Sequence, residues 1–116
     1  MYTKLVLTAL TAFMMACGGG SGGTSGGEST FCVNSTGGEQ TCNGYTNVDS
    51  AFKSAEDSSC KSVNGTVASS CPTSGLDGCC HVAANGVKSE TCFYQNNAAD
   101  EQSSCVSNGD TWTTTP

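Results

Sequence analysis

The chain contains no arginine and no isoleucine, only four lysines, and one histidine and one tryptophan. Charged residues make up 12% of its 116 positions. Without arginine and with so few lysines no basic face can form, which excludes a nucleic-acid binder. The scarcity of large aliphatic residues excludes a large enzyme domain built on an apolar core. From Cys17 onward three lysines face ten acids, a net charge of −7 against −6 for the whole chain. Such an excess favours solubility and opposes docking on anionic lipid or DNA. There is also one long apolar run only, Leu5 to Met15. It is shorter than the ~20 residues needed to stay in a bilayer.

What the sequence does contain is glycine and cysteine, fifteen and nine residues respectively. The first sixteen residues have the layout of a secretory signal. Lys4 supplies positive charge, an apolar stretch follows, and small Ala16 precedes the expected cut. The alternative is a buried N-terminal helix, which the glycines after Cys17 oppose. Met14-Met15-Ala16-Cys17 resembles the lipobox of bacterial lipoproteins, with Met14 where that family usually has Leu. The resemblance implies that the Cys17 thiol carries a diacylglycerol and that residues 1–16 are removed. A membrane is then the partner of the lipid, two or three acyl chains being needed for stable attachment. Gly18 stands where an inner-membrane retention signal would place Asp, so the resemblance implies the outer membrane. The competing expectation is an ordinary secretory signal cut near Ala16, giving a secreted protein without lipid.

Residues 17–30, CGGGSGGTSGGEST, read as a flexible Gly/Ser tether. A phosphate-binding loop is excluded there, because no GK[ST] and no strand-to-helix context accompanies the glycines. The folded domain is expected over residues 31–113. Setting Cys17 aside leaves eight cysteines: Cys32, Cys42, Cys60, Cys71, Cys79, Cys80, Cys92 and Cys105. An even number in an exported chain predicts four disulfides, though sequence alone leaves about 105 connectivities open. With so thin a core, the cystines are expected to decide whether the chain folds.

The fold class expected is a small disulfide-rich α+β domain of two hairpin–helix units, a weak internal duplication. Phe31 to Tyr45 reads as a hairpin turning at Thr36-Gly37-Gly38, which would set Cys32 opposite Cys42. Asn47 to Gly65 reads as a helix capped by Asn47 or Asp49. Its inward face would be Val48, Ala51, Phe52, Ala55, Ser59 and Val63. Thr66 to Ser69 is extended, and Cys71 to Gly75 is a turn. Asn85-Gly86 between two strand-like runs is the strongest short hairpin signal, since a type I′ turn needs positive φ twice. It pairs Ala84 with Val87, Val82 with Ser89, His81 with Glu90 and Cys79 with Cys92. Asn97 to Asn108 reads as a second helix stopped by Gly109, and Thr111 to Thr113 as a last strand. The halves share Ser58-Ser59-Cys60…Asn64-Gly65 and Ser103-Ser104-Cys105…Asn108-Gly109. Cys60 to Trp112 as a whole resembles small cysteine-rich lipoproteins of myxobacterial type, a resemblance that implies no activity.

No catalytic constellation emerges. His81 is expected as a surface residue beside Glu90. Zinc on Cys79, Cys80, His81 and Cys92 lacks a CxxC pair, so no metal and no cofactor are expected. The acids Glu39, Asp49, Glu56, Asp57, Asp77, Glu90, Asp100, Glu101 and Asp110 read as a solvated surface. Phe93, Tyr94 and Trp112 read as core rather than as an exposed patch for peptide or glycan. Asn34-Ser35-Thr36 and Asn64-Gly65-Thr66 match glycosylation acceptors, which have no meaning in a bacterial host. The expected function is a non-enzymatic envelope interaction or structural module. The alternative is an inhibitor-like or toxin-like module using the Cys71–Cys79 loop.

Overall fold

The computed structural model describes residues 26–94 and 98–116. The expected signal segment, Cys17 and most of the expected tether lie outside the described residues. Strands dominate. They are β1 (Glu28–Thr36), β2 (Glu39–Val48), β3 (Thr66–Ala68), β4 (Leu76–Ala84), β5 (Val87–Tyr94) and β6 (Thr111–Thr113). Helix α1 (Ser50–Ser62) follows β2, and helix α2 (Ala99–Ser107) precedes β6. All six strands form one antiparallel sheet in the order β3-β1-β2-β5-β4-β6. The small, disulfide-rich α+β architecture is therefore what the composition implies. Each half of the chain runs hairpin, helix, short strand, and each short strand returns to the first strand of its own hairpin. The halves meet along β2 and β5.

β1 begins at Glu28, three residues before the expected domain boundary, so residues 28–30 belong to the sheet and not to the tether. Thr30 is buried and donates its hydroxyl hydrogen to the Asp57 carboxylate of α1. The second hairpin has the register its Asn-Gly turn dictates. Asn85 and Gly86 have φ of 54° and 80°, and Ala84, Val82, His81 and Cys79 face Val87, Ser89, Glu90 and Cys92. The first hairpin differs from expectation by one residue. Its turn is the two-residue Gly37-Gly38, with φ of 61° and 83°, and Thr36 pairs with Glu39. Cys42 therefore faces Val33 and Cys32 faces Asn43. A slip of one residue moves a side chain to the other face of a sheet. Cys32 and Cys42 lie on opposite faces and cannot join.

That alternation explains the disulfide map. On one face, Cys32 of β1 joins Cys60 of α1, and Cys80 of β4 joins Cys105 of α2. On the other face, Cys79 joins Cys92 across β4 and β5, and Cys42 joins Cys71. Neighbours Cys79 and Cys80 serve opposite faces because side chains alternate along a strand. Both helices thus lie on one face, each tied by a single cystine to the first strand of its hairpin. The opposite face carries the core of Phe31, Cys42, Cys71, Cys79, Cys92 and Tyr94, with Val33, Ala68 and Leu76 packed on it. The segment 69–75 closes over this core. Cys71 is buried in it, and the Tyr94 hydroxyl donates to the Pro72 carbonyl at 2.7 Å.

α1 is shorter than expected. Asp49 is its cap and accepts from the Phe52 N–H at 2.7 Å, while Asn47 has a φ of 63° inside β2. Its inward face is also not the expected one. Val48 is buried but in the strand, Val63 is 63% exposed beyond the helix, and Ala51 and Ala55 are exposed. The residues turned to the sheet are Phe52, Glu56, Ser59 and Cys60. α2 begins at Ala99 with no side-chain cap, and the expected caps Asn96 and Asn97 lie outside the described residues. Both helices stop alike. Gly65 N–H bonds the Cys60 carbonyl, and Asp110 N–H bonds the Cys105 carbonyl, around left-handed Asn64 and Gly109. Asn64 therefore corresponds to Gly109, and the two Asn-Gly pairs are one residue out of step.

Candidate functional site

The hairpin β1–β2 and α1 enclose a hollow of about 340 Å³. Its floor is the helix-bearing face of the sheet, Thr30, Cys32 and Asn34 from β1 and Asn43 and Tyr45 from β2. Glu56, Ser59 and Ser62 of α1, with Val63 just beyond it, form its wall. The Cys32–Cys60 cystine sets the distance between floor and wall. The bond from Thr30 to Asp57 and the edge-to-face contact of Tyr45 with Phe52, 5.2 Å between centroids, fix its far end. Asn43 accepts a hydrogen bond on Oδ1 from Thr91 of β5 at 3.0 Å, so its Nδ2 remains available. Glu56, Ser59 and Tyr45 make no side-chain hydrogen bond to another described residue.

The electrostatics follow from partial burial. Desolvation raises the Tyr45 phenol above its ordinary value, and the neighbouring Glu56 charge adds to this. Desolvation likewise raises Glu56, helped by Asp57 next to it. Asp57 moves the other way, because Lys53 and Thr30 bond to it, Lys53 at 2.7 Å. Lys53 is thus occupied on the outer side of the helix, and no cation lines the hollow.

A second cluster lies on the opposite face at the other end of the sheet. His81 Nε2 is 2.7 Å from Thr113 Oγ1, and its Nδ1 is 3.7 Å from Glu90 Oε2. The order is carboxylate, imidazole, hydroxyl, and the Thr113 hydroxyl also lies against the Thr115 carbonyl. The cluster fastens β6 to β4. Burial raises Glu90, and the nearby His81 partly offsets that.

The metal-type grouping among the described residues is Cys71, Glu90 and Cys92, within 4.8 Å of one another. Both sulfurs belong to cystines and offer no thiolate. The set Cys79, Cys80, His81 and Cys92 does not converge either, since Cys80 points to the helix side and is bonded to Cys105. All eight candidate disulfide cysteines are paired. In the Cys71–Cys79 segment the end cysteines are buried and Leu76 packs on the core, while Thr73, Ser74 and Gly75 between them are exposed. Tyr94 is core as expected, whereas Phe93 and Trp112 are half-buried and stacked on the helix side, 6.0 Å between centroids.

Sequence reasoning missed Asn43, Tyr45 and Glu56 as site residues. A usable signal was present for one of them. Glu56 stands midway between Phe52 and Cys60 at i, i+4, i+8, on the helix face that the cystine turns to the sheet. Compared with known proteins, the chain matches no family model, no curated protein and no solved structure.

Proposed function

We propose that the chain is a lipid-anchored extracytoplasmic binding or structural module of the bacterial cell envelope. In this reading residues 1–16 are a signal, Cys17 carries the lipid, and the cystine-locked domain faces the periplasm or the exterior. The observation that carries it is cysteine economy. The eight described cysteines pair completely among themselves, which leaves Cys17, of the nine, without a partner among them. Four cystines also suit an oxidising compartment and not the cytosol. The reading is non-enzymatic, with the single histidine taken as a tie between β4 and β6 through Thr113.

We also infer that the two halves descend from one duplicated unit. The supporting register is detailed. Cys32↔Asn43 and Cys32↔Val67 in the first half correspond to Cys80↔Thr91 and Cys80↔Trp112 in the second. The cystines Cys32–Cys60 and Cys80–Cys105 occupy equivalent places. Aligned on those cystines, Glu56, Ser58, Ser59, Ser62 and Thr66 recur as Glu101, Ser103, Ser104, Ser107 and Thr111.

The anchor is tested by mass spectrometry of the mature protein and by fractionation. The expected product begins at Cys17 with acyl mass added and leaves membranes only with detergent, while Cys17→Ser is released or left unprocessed. An unmodified Cys17 thiol, or wild-type protein recovered without detergent, overturns the anchor and favours a secreted protein.

A further inference from the structure

We propose that the hollow beneath α1 is a binding site for one sugar ring, a neutral hexose or hexosamine unit of a glycan. This goes beyond the anchored-module reading and does not depend on the lipid. The first argument is a comparison within the molecule. Thr30, Tyr45 and Val67 of the first half stand where Gly78, Phe93 and Trp112 stand in the second. In the second half the indole of Trp112 lies so close over Gly78 that a Cβ there would come within 2.3 Å of it. The indole also stacks on Phe93, on the face of the sheet that carries α2. In the first half a valine stands at the indole's position, and Thr30 and Tyr45, the counterparts of Gly78 and Phe93, line the open hollow of about 340 Å³. That volume is near the lower end for small-molecule sites, roughly 300–1,000 Å³.

The second argument is the chemistry of the lining. The Glu56 carboxylate, the Tyr45 and Ser59 hydroxyls and the Asn43 amide nitrogen have no hydrogen-bond partner among the described residues. An apolar ligand would strip water from these groups without replacing its hydrogen bonds. An anion would meet Glu56 with no cation in the lining to offset it. A metal ion would find a single carboxylate. Vicinal hydroxyls satisfy the set: a carboxylate and a hydroxyl accept, an amide nitrogen donates. The C–H face of a pyranose ring can pack on the Tyr45 ring, which Phe52 holds in place. The anionic charge of Glu56 also suits the ammonium of a hexosamine.

The test is a titration of the oxidised full chain, followed by amide and side-chain NMR shifts. The probes are glucose, galactose, mannose, glucosamine and N-acetylglucosamine, with inorganic phosphate and glucose 6-phosphate as anions. Saturable binding of at least one neutral or amino sugar is expected, with a Kd on the order of 1 mM for one ring in an open hollow. The shifts are expected at Asn43, Tyr45 and Ser59. Asn43→Ala and Glu56→Gln each lower the affinity about tenfold, the loss of one good hydrogen bond. Lys88→Ala leaves it unchanged. Val67→Trp combined with Thr30→Gly copies the filled half and abolishes binding. If that pair fails to fold, the two single variants decide. Absence of saturable shifts with every sugar, tighter binding of the anions, or full affinity in Asn43→Ala and Glu56→Gln overturns the proposal.

Discussion

The two halves of the molecule use the same hairpin, helix and cystine, yet they secure their helices in different ways. α1, thirteen residues long, is tied down at several points besides Cys32–Cys60: the Asp49 cap, the contact of Phe52 with Tyr45, and the bond from Thr30 to Asp57. α2, nine residues long, has no side-chain cap, and on its side of the sheet the indole of Trp112 stacks on Phe93. The first helix is held by polar and edge contacts around a hollow, the second by one cystine beside a stacked aromatic pair.

The largest effect that can break this comparison is removal of the helix cystines. Each closes a loop of 25 to 28 residues, which the chain-entropy model values at about 3–4 kcal/mol. Replacing Cys80 and Cys105 by Ala together is expected to unfold α2 while leaving the sheet intact. Replacing Cys32 and Cys60 is expected to cost similar global stability but leave α1 partly protected. Hydrogen exchange on both double variants reads this directly. Equal loss of protection in α1 and α2 would mean that the extra contacts of α1 contribute nothing. Full reduction removes all four cystines, on the order of 10 kcal/mol together, comparable to a domain's whole stability. The reduced chain is expected to lose its near-native circular dichroism.

Much of this arrangement was legible in the sequence, and the failures have physical causes. The Asn85-Gly86 hairpin was readable residue by residue, because a two-residue turn with two positive φ values admits one register. Thr36-Gly37-Gly38-Glu39 was less decisive, since either glycine can adopt the left-handed region and turns of two or three residues both fit. That ambiguity of one position put Cys42 on the wrong face and hid its partner, Cys71. The inward face of α1 failed for another reason. Apolar periodicity ran through Val48 and Val63, which lie outside the helix, while a cystine turned the polar Glu56 and Ser59 toward the sheet. The hollow itself was invisible, because its lining comes from β1, β2 and the end of α1, which meet only in the folded chain.

A middle-sized effect of pH separates the halves through Asp57 alone, since Glu90 and Glu56 shift the same way. Glu90 is raised above its ordinary 4.5 by burial, so the folded state holds its proton more tightly than the unfolded one. Stability then declines as pH rises from about 4.5 through the folded value, and levels off above it. Glu56 has the same sign in the first half. Asp57 has the opposite one: lowered from 3.8, it stabilises above that value, and the contribution is lost as pH falls through its folded value. Glu90→Gln is expected to flatten the decline above pH 4.5 in urea titrations, and Lys53→Ala to weaken the acid-side loss. A decline of unchanged slope in both Glu90→Gln and Glu56→Gln would assign it to other groups.

The smallest effect concerns the two turns. Gly37 and Asn85 occupy the same place in their hairpins, with φ of 61° and 54°. Glycine there leaves the unfolded chain more conformations to lose than asparagine does, and asparagine tolerates the left-handed region better than most residues with a side chain. A Cβ at Gly37 meets nothing within 4 Å. Gly37→Asn is therefore expected to stabilise the protein by about 0.5 kcal/mol, and Asn85→Gly to destabilise it by a similar amount. Urea midpoints at constant m-value check both. A shift at Asn85 with none at Gly37 would mean that the asparagine acts through its neighbours. The Asn47 side chain, which donates to the Gly86 carbonyl at 2.7 Å, would then be the group holding that turn in place.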